Sequence, residues 1–193
     1  LPSPTSPVFI DEALVPILDC IRSCQGNVFV LFTSYSMLQK CYEGIVEILE
    51  EEGFNVFKQG DEHRETLLTH FKEANRAVLF GTDSFWEGVD VVGDDLRCVI
   101  IVKLPFKVPT EPIQQAQSEL LSSEGRDPFM NFSLPNAIVK FKQGFGRLIR
   151  HKGDRGCIVC LDNRLVKKGY GKMFVNSLPD CSKICGNSED IIK

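Results

Sequence analysis

The sequence predicts an α/β fold with a mainly parallel sheet that helices cover on both faces. Apolar residues dominate short runs at residues 28–33, 77–80, 98–102 and 156–161, and residues 55–58 are a further strand candidate. Stretches with the three- and four-residue apolar spacing of helices separate several of these runs. Continuous apolar strands that alternate with helices are typical of a parallel sheet, because both faces of its strands are buried.

The first half of the chain gives the clearest elements. After the strand at residues 28–33, a helix is predicted with Ser36 as a candidate N-cap and Gly53 at its end. Its buried face is marked by Leu38, Tyr42, Ile45 and Leu49. A short strand at 55–58, a helix at 62–74 and a strand at 77–80 follow. The inward positions of that second helix are Leu67, Leu68 and Phe71.

The second half contains strands at residues 98–102 and 156–161, with a helix between them. An apolar repeat predicts the helix face that meets the core, at Leu134, Ile138, Phe141, Phe145 and Leu148. Gly144 and Gly146 fall inside this pattern, and each glycine costs roughly 0.8–1 kcal/mol against alanine in a helix. Such a cost suggests close approach of the backbone to a neighbour.

Composition indicates one ordinary globular domain. The 193 residues are 43% hydrophobic and 25% charged. The Pro- and Ser-rich residues 1–7 are expected to be a linker, which leaves residues 8–193 as the domain. No run reaches the roughly 18 apolar residues of a membrane span, and no secretory signal opens the sequence. We therefore expect a cytoplasmic protein with no membrane partner.

The charge is unevenly distributed. A net charge of −4 argues against a protein that coats nucleic acid, but a basic cluster lies between Lys140 and Lys152. The eight cysteines are expected to be reduced. Cys157 and Cys160 have the spacing of zinc ligands, yet residues three apart on a strand point to opposite faces. No metal ligand is therefore assigned.

The predicted helix that contains Leu134 to Leu148 overlaps this basic cluster and carries the first candidate site. Residues 143–150 are predicted to be helical, so Gln143, Arg147 and Arg150 share one stripe, because they are four and three residues apart. Two fixed guanidiniums beside a bare glycine backbone suit charge that develops on a transferring γ-phosphate. The alternative, a surface helix with solvated arginines, remains open.

A second candidate site lies where strands end, the edge at which open α/β sheets bind ligands. Residues 33–36 follow the first strand, 81–90 the third and 103–106 the fourth. Thr82 and Ser84 offer hydroxyls for phosphate oxygens, and Trp86 offers a surface for base stacking. Glu87 and Asp90 add two carboxylates. Each has a competing structural role: Thr82 and Ser84 as helix caps, Trp86 as a core or interface anchor, and Asp90 as a turn residue.

Three strings carry a family resemblance. Residues 81–90, GTDSFWEGVD, resemble motif V of superfamily 2 helicases of the DinG/XPD type. Residues 143–150, QGFGRLIR, resemble motif VI, and residues 30–35, VLFTSY, resemble motif IV. The resemblance covers roughly residues 28–179, and the order and spacing of the strings favour the bacterial DinG branch.

The resemblance implies a RecA-like three-layer fold and the role of a second, C-terminal motor domain in an ATP-dependent DNA helicase. In that family, ATP with Mg²⁺ sits between two such domains, and single-stranded DNA crosses both. The implied catalytic residues are Arg147, Arg150 and Gln143, with Arg150 as arginine finger. The implied nucleotide-cleft residues are Gly88, Asp90, Glu87 and Gly146. The implied DNA contacts are Ser34, Tyr35, Thr82, Ser84 and Trp86.

Parts of such an enzyme are absent from the sequence. It contains no G-x-x-x-x-G-K-[ST] phosphate loop and no Walker B string. We therefore expect half of an active site, an inactive isolated chain and a first motor domain as partner. The iron–sulfur cluster of many relatives belongs to that first domain, so none is expected here. A catalytically silent interaction module and an RNA-directed motor remain alternatives.

Overall fold

The computed structural model describes residues 1–82, 85, 91, 95–107, 112–146, 148 and 156–186. The strands of this part form one sheet in the order β2-β3-β1-β4-β5, and every neighbouring pair is parallel. They are β1 (Val28–Leu31), β2 (Asn55–Lys58), β3 (Ala77–Gly81), β4 (Cys98–Ile101) and β5 (Cys157–Cys160). The predicted α/β class with a parallel sheet is confirmed.

Helices connect the strands. They are α1 (Phe9–Cys24), α2 (Tyr35–Glu51), α3 (Arg64–Glu73), α4 (Pro112–Ser123), α5 (Leu134–Phe145), α6 (Arg164–Lys167) and α7 (Gly171–Ser177). A π-helical turn, Phe129–Ser133, leads into α5. The sequence analysis did not assign α1, α4, α6 or α7. For α1 the signal was present, since Phe9, Ala13, Ile17 and Ile21 are four residues apart and buried.

The core lies in two layers, one on each face of the sheet. The first core contains residues of α1 and α2 packed on Val28, Val30, Phe80 and Ile100. The second contains residues of α3, α5 and α7 packed on Phe29, Leu79, Val99 and Ile101. Side chains that alternate along each strand therefore reach opposite cores. This is the expected three-layer arrangement. Because the strands are parallel, the loops that follow them all lie at one edge of the sheet.

The start of α2 differs from the prediction. Ser34, not Ser36, is its N-cap: Ser34 has an extended backbone, and its hydroxyl oxygen accepts a hydrogen bond from the Met37 N–H at 3.4 Å. Ser36 lies inside the first turn. An N-cap needs a non-helical backbone and a side-chain oxygen three residues ahead of the N–H that it accepts. The sequence offered serines at both positions.

The predicted continuation of α5 is also wrong. The helix ends at Phe145, with Gly146 as its C-cap, and Leu148 lies in a turn. Two glycines in three residues weaken the last turn, and the Leu148 N–H bonds the Phe145 carbonyl instead of continuing the helix. Arg147 and Arg150 lie outside the described residues, so their common stripe with Gln143 remains a prediction.

Residues 1–7 contact the domain. The Asn163 side-chain amide donates to the carbonyls of Leu1 and Pro2, at 3.1 and 2.9 Å, and Pro4 is buried. Whether this segment is a linker in a longer polypeptide remains a prediction. In the described part of the chain, no helix has the length and hydropathy needed to cross a membrane.

Candidate functional site

The residues that follow the strands form a row along one edge of the sheet, because all five strands are parallel. In sheet order, this strand-end row is Gln59, Thr82, Ser34, Lys103 and Asp162. The chain leaves β1 toward β2 and β3, which lie on one side of β1 in the sheet. Strands β4 and β5 lie on its other side. The strand order thus reverses between β1 and β4, the position where open α/β sheets form a ligand crevice. Ser34 and Lys103 flank that crevice.

Thr82 and Gln59 form a polar pair in this row. The Thr82 backbone N–H and hydroxyl both donate to the Gln59 side-chain oxygen, at 2.7 and 2.9 Å. The Gln59 backbone N–H bonds the Phe80 carbonyl and so extends the β2–β3 pairing. The Gln59 amide nitrogen is a further donor in this row. Gln59 is not among the predicted site residues, although it directly follows a predicted strand.

Ser34 and Tyr35 stand at the N-terminus of α2. Ser34 caps the helix, and its hydroxyl is 3.3 Å from that of Ser36. Tyr35 is 49% exposed, and a Cβ added at Gly60 would lie 3.1 Å from its hydroxyl. The left-handed backbone of Gly60, with φ of 104°, leaves this space beside the phenol. Hydroxyl donors near a helix N-terminus suit a phosphate.

A buried ion pair supports the other end of the row. Asp162 is 2% exposed and accepts a hydrogen bond from the Leu104 N–H at 2.8 Å. Its carboxylate also pairs with the Arg164 guanidinium, whose shortest N···O distance is 2.6 Å. Arg164 in turn lies over the Phe106 ring. This network fixes the segment after β4, and sequence reasoning did not single out Asp162 or Arg164.

Lys103 lies beside this network. Burial lowers the pKa of its ammonium, and the nearby Arg164 guanidinium adds to the effect while Asp162 opposes it. A cation in a partly buried position loses solvation that an anionic ligand would restore. Lys103 therefore favours an anion at the crevice between β1 and β4.

The second candidate site lies along α5. The Gln143 side chain is exposed at the C-terminal turn of this helix. It lines an open groove, named here the α5 groove, whose wall contains both polar and apolar side chains. The groove is formed by Lys107, Gln114, Phe132, Asn136, Val139, Lys140 and Gln143. Lysine and amide donors of this kind suit an anionic ligand.

Leu148 anchors the segment after α5. It is buried in the second core, and a Cβ added at Gly156 would lie 2.6 Å from one of its methyl groups. Gly156 thus permits close packing of this leucine. Leu148 is adjacent in the sequence to Arg147, which lies outside the described residues.

The structure accounts for five of the predicted site residues. Thr82, Ser34 and Tyr35 lie at the C-terminal edge of the sheet, whereas Gln143 lies on α5 and Gly146 is its C-cap. Seven others are outside the described residues: Ser84, Trp86, Glu87, Gly88, Asp90, Arg147 and Arg150. Their roles remain predictions.

Three cysteines meet at the opposite edge of the sheet. The sulfur atoms of Cys24, Cys98 and Cys157 all lie within 4.8 Å of one another. Cys160 packs toward the second core, so it does not join Cys157, as the strand geometry predicted. The pairing of β4 with β5 brings Cys98 beside Cys157, and the end of α1 adds Cys24. The spacing of these cysteines in the sequence does not predict the cluster.

Comparison with known proteins agrees with this arrangement. The helicase C-terminal domain family matches residues 17–181. The 3'-5' exonuclease DinG of Bacillus subtilis (strain 168) is 40% identical over 91% of this chain and 19% of its own length. The ATP-dependent DNA helicase YoaA of Haemophilus influenzae is 43% identical over 90% of this chain and 26% of its own. The chain therefore spans about a fifth to a quarter of these relatives.

Solved structures show the same fold. A chain titled "XPD_APO" superposes with a TM-score of 0.64 at 20% identity, covering 87% of this chain and 33% of that one. A second, "XPD_Helicase", gives 0.60 at 22% identity, covering 86% and 31%. The family match spans most of the chain, and the sheet topology supports it. The chain belongs to the helicase C-terminal domain family.

Proposed function

We propose that this chain works as the second motor domain of an ATP-dependent DNA helicase. It completes an ATP site shared with a first motor domain of the same polypeptide, and it contacts single-stranded DNA at its strand-end row. The position of Gln143 carries the proposal. Its side chain is exposed in the α5 groove, which also contains Lys107 and Lys140. Gln143 lies three residues before Gly146 and four before Arg147 in the sequence.

The proposed chemistry is electrostatic. Phosphoryl transfer spreads charge over the equatorial oxygens of the γ-phosphate, and a guanidinium stabilises that charge through paired donors. Arg150 is proposed as arginine finger and Arg147 as a second cation. The Gln143 amide both donates and accepts hydrogen bonds, which suits a group that orients the attacking water.

The remaining nucleotide contacts are proposed on both sides of the cleft. Gly88, Asp90, Glu87 and Gly146 would line it from this chain. ATP and its Mg²⁺ would be gripped mainly by the first motor domain, since the sequence contains no phosphate-binding loop.

The strand-end row is proposed to contact the DNA backbone. Phosphate oxygens only accept hydrogen bonds, so the protein must supply donors. The exposed Tyr35 hydroxyl and the Gln59 amide nitrogen meet this requirement. The Thr82 hydroxyl already donates to Gln59, so it is available to a phosphate only after that bond breaks. Ser34, Ser84 and Trp86 are proposed to extend the same path by hydroxyl contact and base stacking.

Substitution of Arg150 tests the shared ATP site. In the full-length protein, Arg150→Ala should lower ATP turnover by about 10³–10⁵-fold, the usual worth of an arginine finger. Nucleotide affinity should change little. Arg150→Lys should rescue poorly, because a point charge does not reproduce the planar guanidinium fork.

Arg126 provides the matched control, since it is an exposed arginine that pairs locally with Glu124. Arg126→Ala should leave turnover unchanged. Near-normal turnover of both Arg150 variants would contradict the proposal and favour a catalytically silent interaction module.

Salt titration tests the proposed DNA path. Binding of a labelled single strand should weaken as salt rises, by about 0.7 in the logarithmic slope for each neutralised phosphate. Tyr35→Phe should weaken binding by removing one donor, while Tyr42→Phe, in the first core, should not. Equal or tighter binding of RNA with the same sequence would favour the RNA-directed alternative, because the 2′-hydroxyl distinguishes the two.

The exonuclease of the Bacillus protein is not assigned to this chain, since the match covers 19% of that protein. A cytoplasmic location at the bacterial nucleoid is part of the proposal, as expected for a motor that acts on chromosomal DNA.

A further inference from the structure

The three clustered cysteines come from distant parts of the chain and meet at the N-terminal edge of the sheet. Cys24 is the last residue of α1, Cys98 the first of β4 and Cys157 the first of β5. This edge is the end of the sheet opposite the strand-end row. The cluster therefore lies outside the ATP and DNA sites proposed above.

The backbone holds these positions firmly. Cys98 and Cys157 are paired in the β4–β5 register, so their side chains point to the same face. The Cys157 N–H donates to the Arg97 carbonyl at 3.0 Å, and the Arg97 N–H donates to the Asn27 carbonyl at 2.8 Å. A left-handed turn through residues 25–27 places Cys24 directly before this ladder.

We propose that Cys24, Cys98 and Cys157 bind one thiophilic d¹⁰ cation, for which Zn²⁺ is the test ion. Zinc–thiolate bonds are about 2.3 Å long, so two ligands of a tetrahedral ion are about 3.8 Å apart. The sulfur atoms of Cys24 and Cys157 are 3.7 Å apart. The third sulfur lies within 4.8 Å, which a movement of roughly 1 Å closes. A water completes the fourth position.

The cluster is accessible to an ion. Cys157 is its exposed member, Cys24 is half-buried and Cys98 is buried. An incoming cation therefore reaches the Cys157 sulfur first. Binding displaces the thiol protons, because the thiolate is the form that ligates a metal.

A single ion fits better than an iron–sulfur cluster. Clusters of that kind are usually held by four cysteines, and three sulfur atoms gather here. Cys20, one helical turn before Cys24, is buried in the first core and is not part of the cluster. A bound ion would join α1, β4 and β5, which are far apart in the sequence.

The test uses the reduced 193-residue chain with Cys181→Ser and Cys185→Ser, which removes two exposed cysteines near the end of the chain. Zn²⁺ is titrated against a colorimetric chelator, and Cd²⁺ is titrated by its thiolate charge-transfer absorbance. We expect one ion per chain and a melting temperature that rises with metal. Cys24→Ser and Cys157→Ser should each abolish stoichiometric binding at this site.

Cys160→Ala is the matched control, because Cys160 is on the same strand but packs toward the other core. It should retain one bound ion, and all variants should keep the circular dichroism of the parent. Absence of Zn²⁺ binding would overturn the proposal. Binding that survives Cys157→Ser, or binding lost in Cys160→Ala, would place the metal elsewhere. Loss of two thiols to a disulfide in aerobic protein, with no metal uptake by the reduced form, would also overturn it.

Discussion

Asp162 shows how much one buried residue contributes to the strand-end row. Its carboxylate satisfies the Leu104 N–H and the Arg164 guanidinium in a solvent-excluded position. Asp162→Asn removes the negative charge. It also replaces one acceptor oxygen with an amide NH₂ group, which faces the N–H groups of Leu104 or Arg164 and cannot accept a hydrogen bond from them. Breaking a buried pair typically costs about 3–5 kcal/mol. We expect a loss of this size in the free energy of unfolding, measured with urea.

The control for Asp162 is Asp180→Asn, a change at an exposed position. It should alter the free energy of unfolding by less than about 0.5 kcal/mol. If both variants unfold at the same urea concentration as the parent, Asp162 does not hold the segment after β4.

Cys157 should react as a thiolate well into the acid range. The hydrogen bonds from Cys24 and Cys98 lower its pKa to about 3, whereas an unfolded thiol titrates near about 8.5. A lowered pKa keeps the reactive anion present as the pH falls. In metal-free protein, iodoacetamide should therefore modify Cys157 at nearly the same rate at about pH 8 and about pH 5.

The urea-unfolded chain serves as the reference for Cys157, and modification is followed by peptide mass spectrometry. There, the rate should fall about tenfold for each pH unit below the thiol pKa. A native rate that falls in parallel with the unfolded one would show that Cys157 is an ordinary thiol.

At the scale of elements, Gly171 decides how α7 meets α6. A Cβ at Gly171 would lie 2.0 Å from the Leu165 carbonyl oxygen, a backbone atom that has little freedom to move. Gly171→Ala should therefore lower the free energy of unfolding. The loss should reach or exceed the roughly 1–3 kcal/mol that is typical of overpacking. Thermal and urea melts of the isolated chain measure this loss.

Gly169, two residues earlier, is the matched position. A Cβ there meets nothing within 4 Å, so Gly169→Ala should leave stability within about 0.5 kcal/mol of the parent. Equal losses in the two variants would indicate that turn flexibility matters here and that the close approach to Leu165 does not.

Gly146 is expected to behave in the opposite way. Its φ of −66° suits any L-residue, and an added Cβ would lie 3.4 Å from the Lys142 carbonyl oxygen. The melting temperature of Gly146→Ala should therefore change little. In the full-length protein, ATP turnover should fall, because the methyl group would obstruct the proposed nucleotide cleft.

Gly169→Ala is the control for Gly146→Ala, and its ATP turnover in the same assay should equal that of the parent protein. A lower melting temperature with normal turnover would show that Gly146 serves the fold. Normal values of both quantities would exclude Gly146 from the nucleotide cleft.

Elements were predictable where apolar periodicity is strong and local. Residues 55–58 were predicted as a strand with the observed bounds, and β1, β3, β4 and β5 were placed within about two residues. The end of α5 was not, because its apolar repeat continues to Leu148 although two glycines stop the helix. The N-cap of α2 was missed because adjacent serines compete, and backbone geometry decides between them.

The candidate site was predictable only where a strand end is adjacent to it in sequence. Thr82, Ser34 and Tyr35 follow predicted strands and do lie at the expected edge. Gln59, Asp162 and the cysteine cluster depend on which strands become neighbours. Strand order is set by long-range packing, and a single sequence does not encode it in any local pattern.

The whole molecule should be incapable of turnover alone. The sequence contains no phosphate-binding loop, and the proposed arginine finger needs an opposing domain that holds the nucleotide. The purified 193-residue chain should hydrolyse ATP no faster than buffer, with or without single-stranded DNA. Addition of a separately expressed first motor domain is the complementary experiment, and DNA-stimulated turnover by this chain alone would contradict the half-site proposal.

The strand order also determines how the chain folds as it leaves the ribosome. By Gly81, the nascent polypeptide contains β1, β2 and β3, which pair with one another, and the helices of the first core. The other side of β1 has no partner until residues 98–101 emerge, and β5 follows only at residues 157–160. An open apolar strand edge recruits other chains. The intervals before β4 and before β5 emerge are thus the stages of synthesis at which this domain is most exposed to association with other chains.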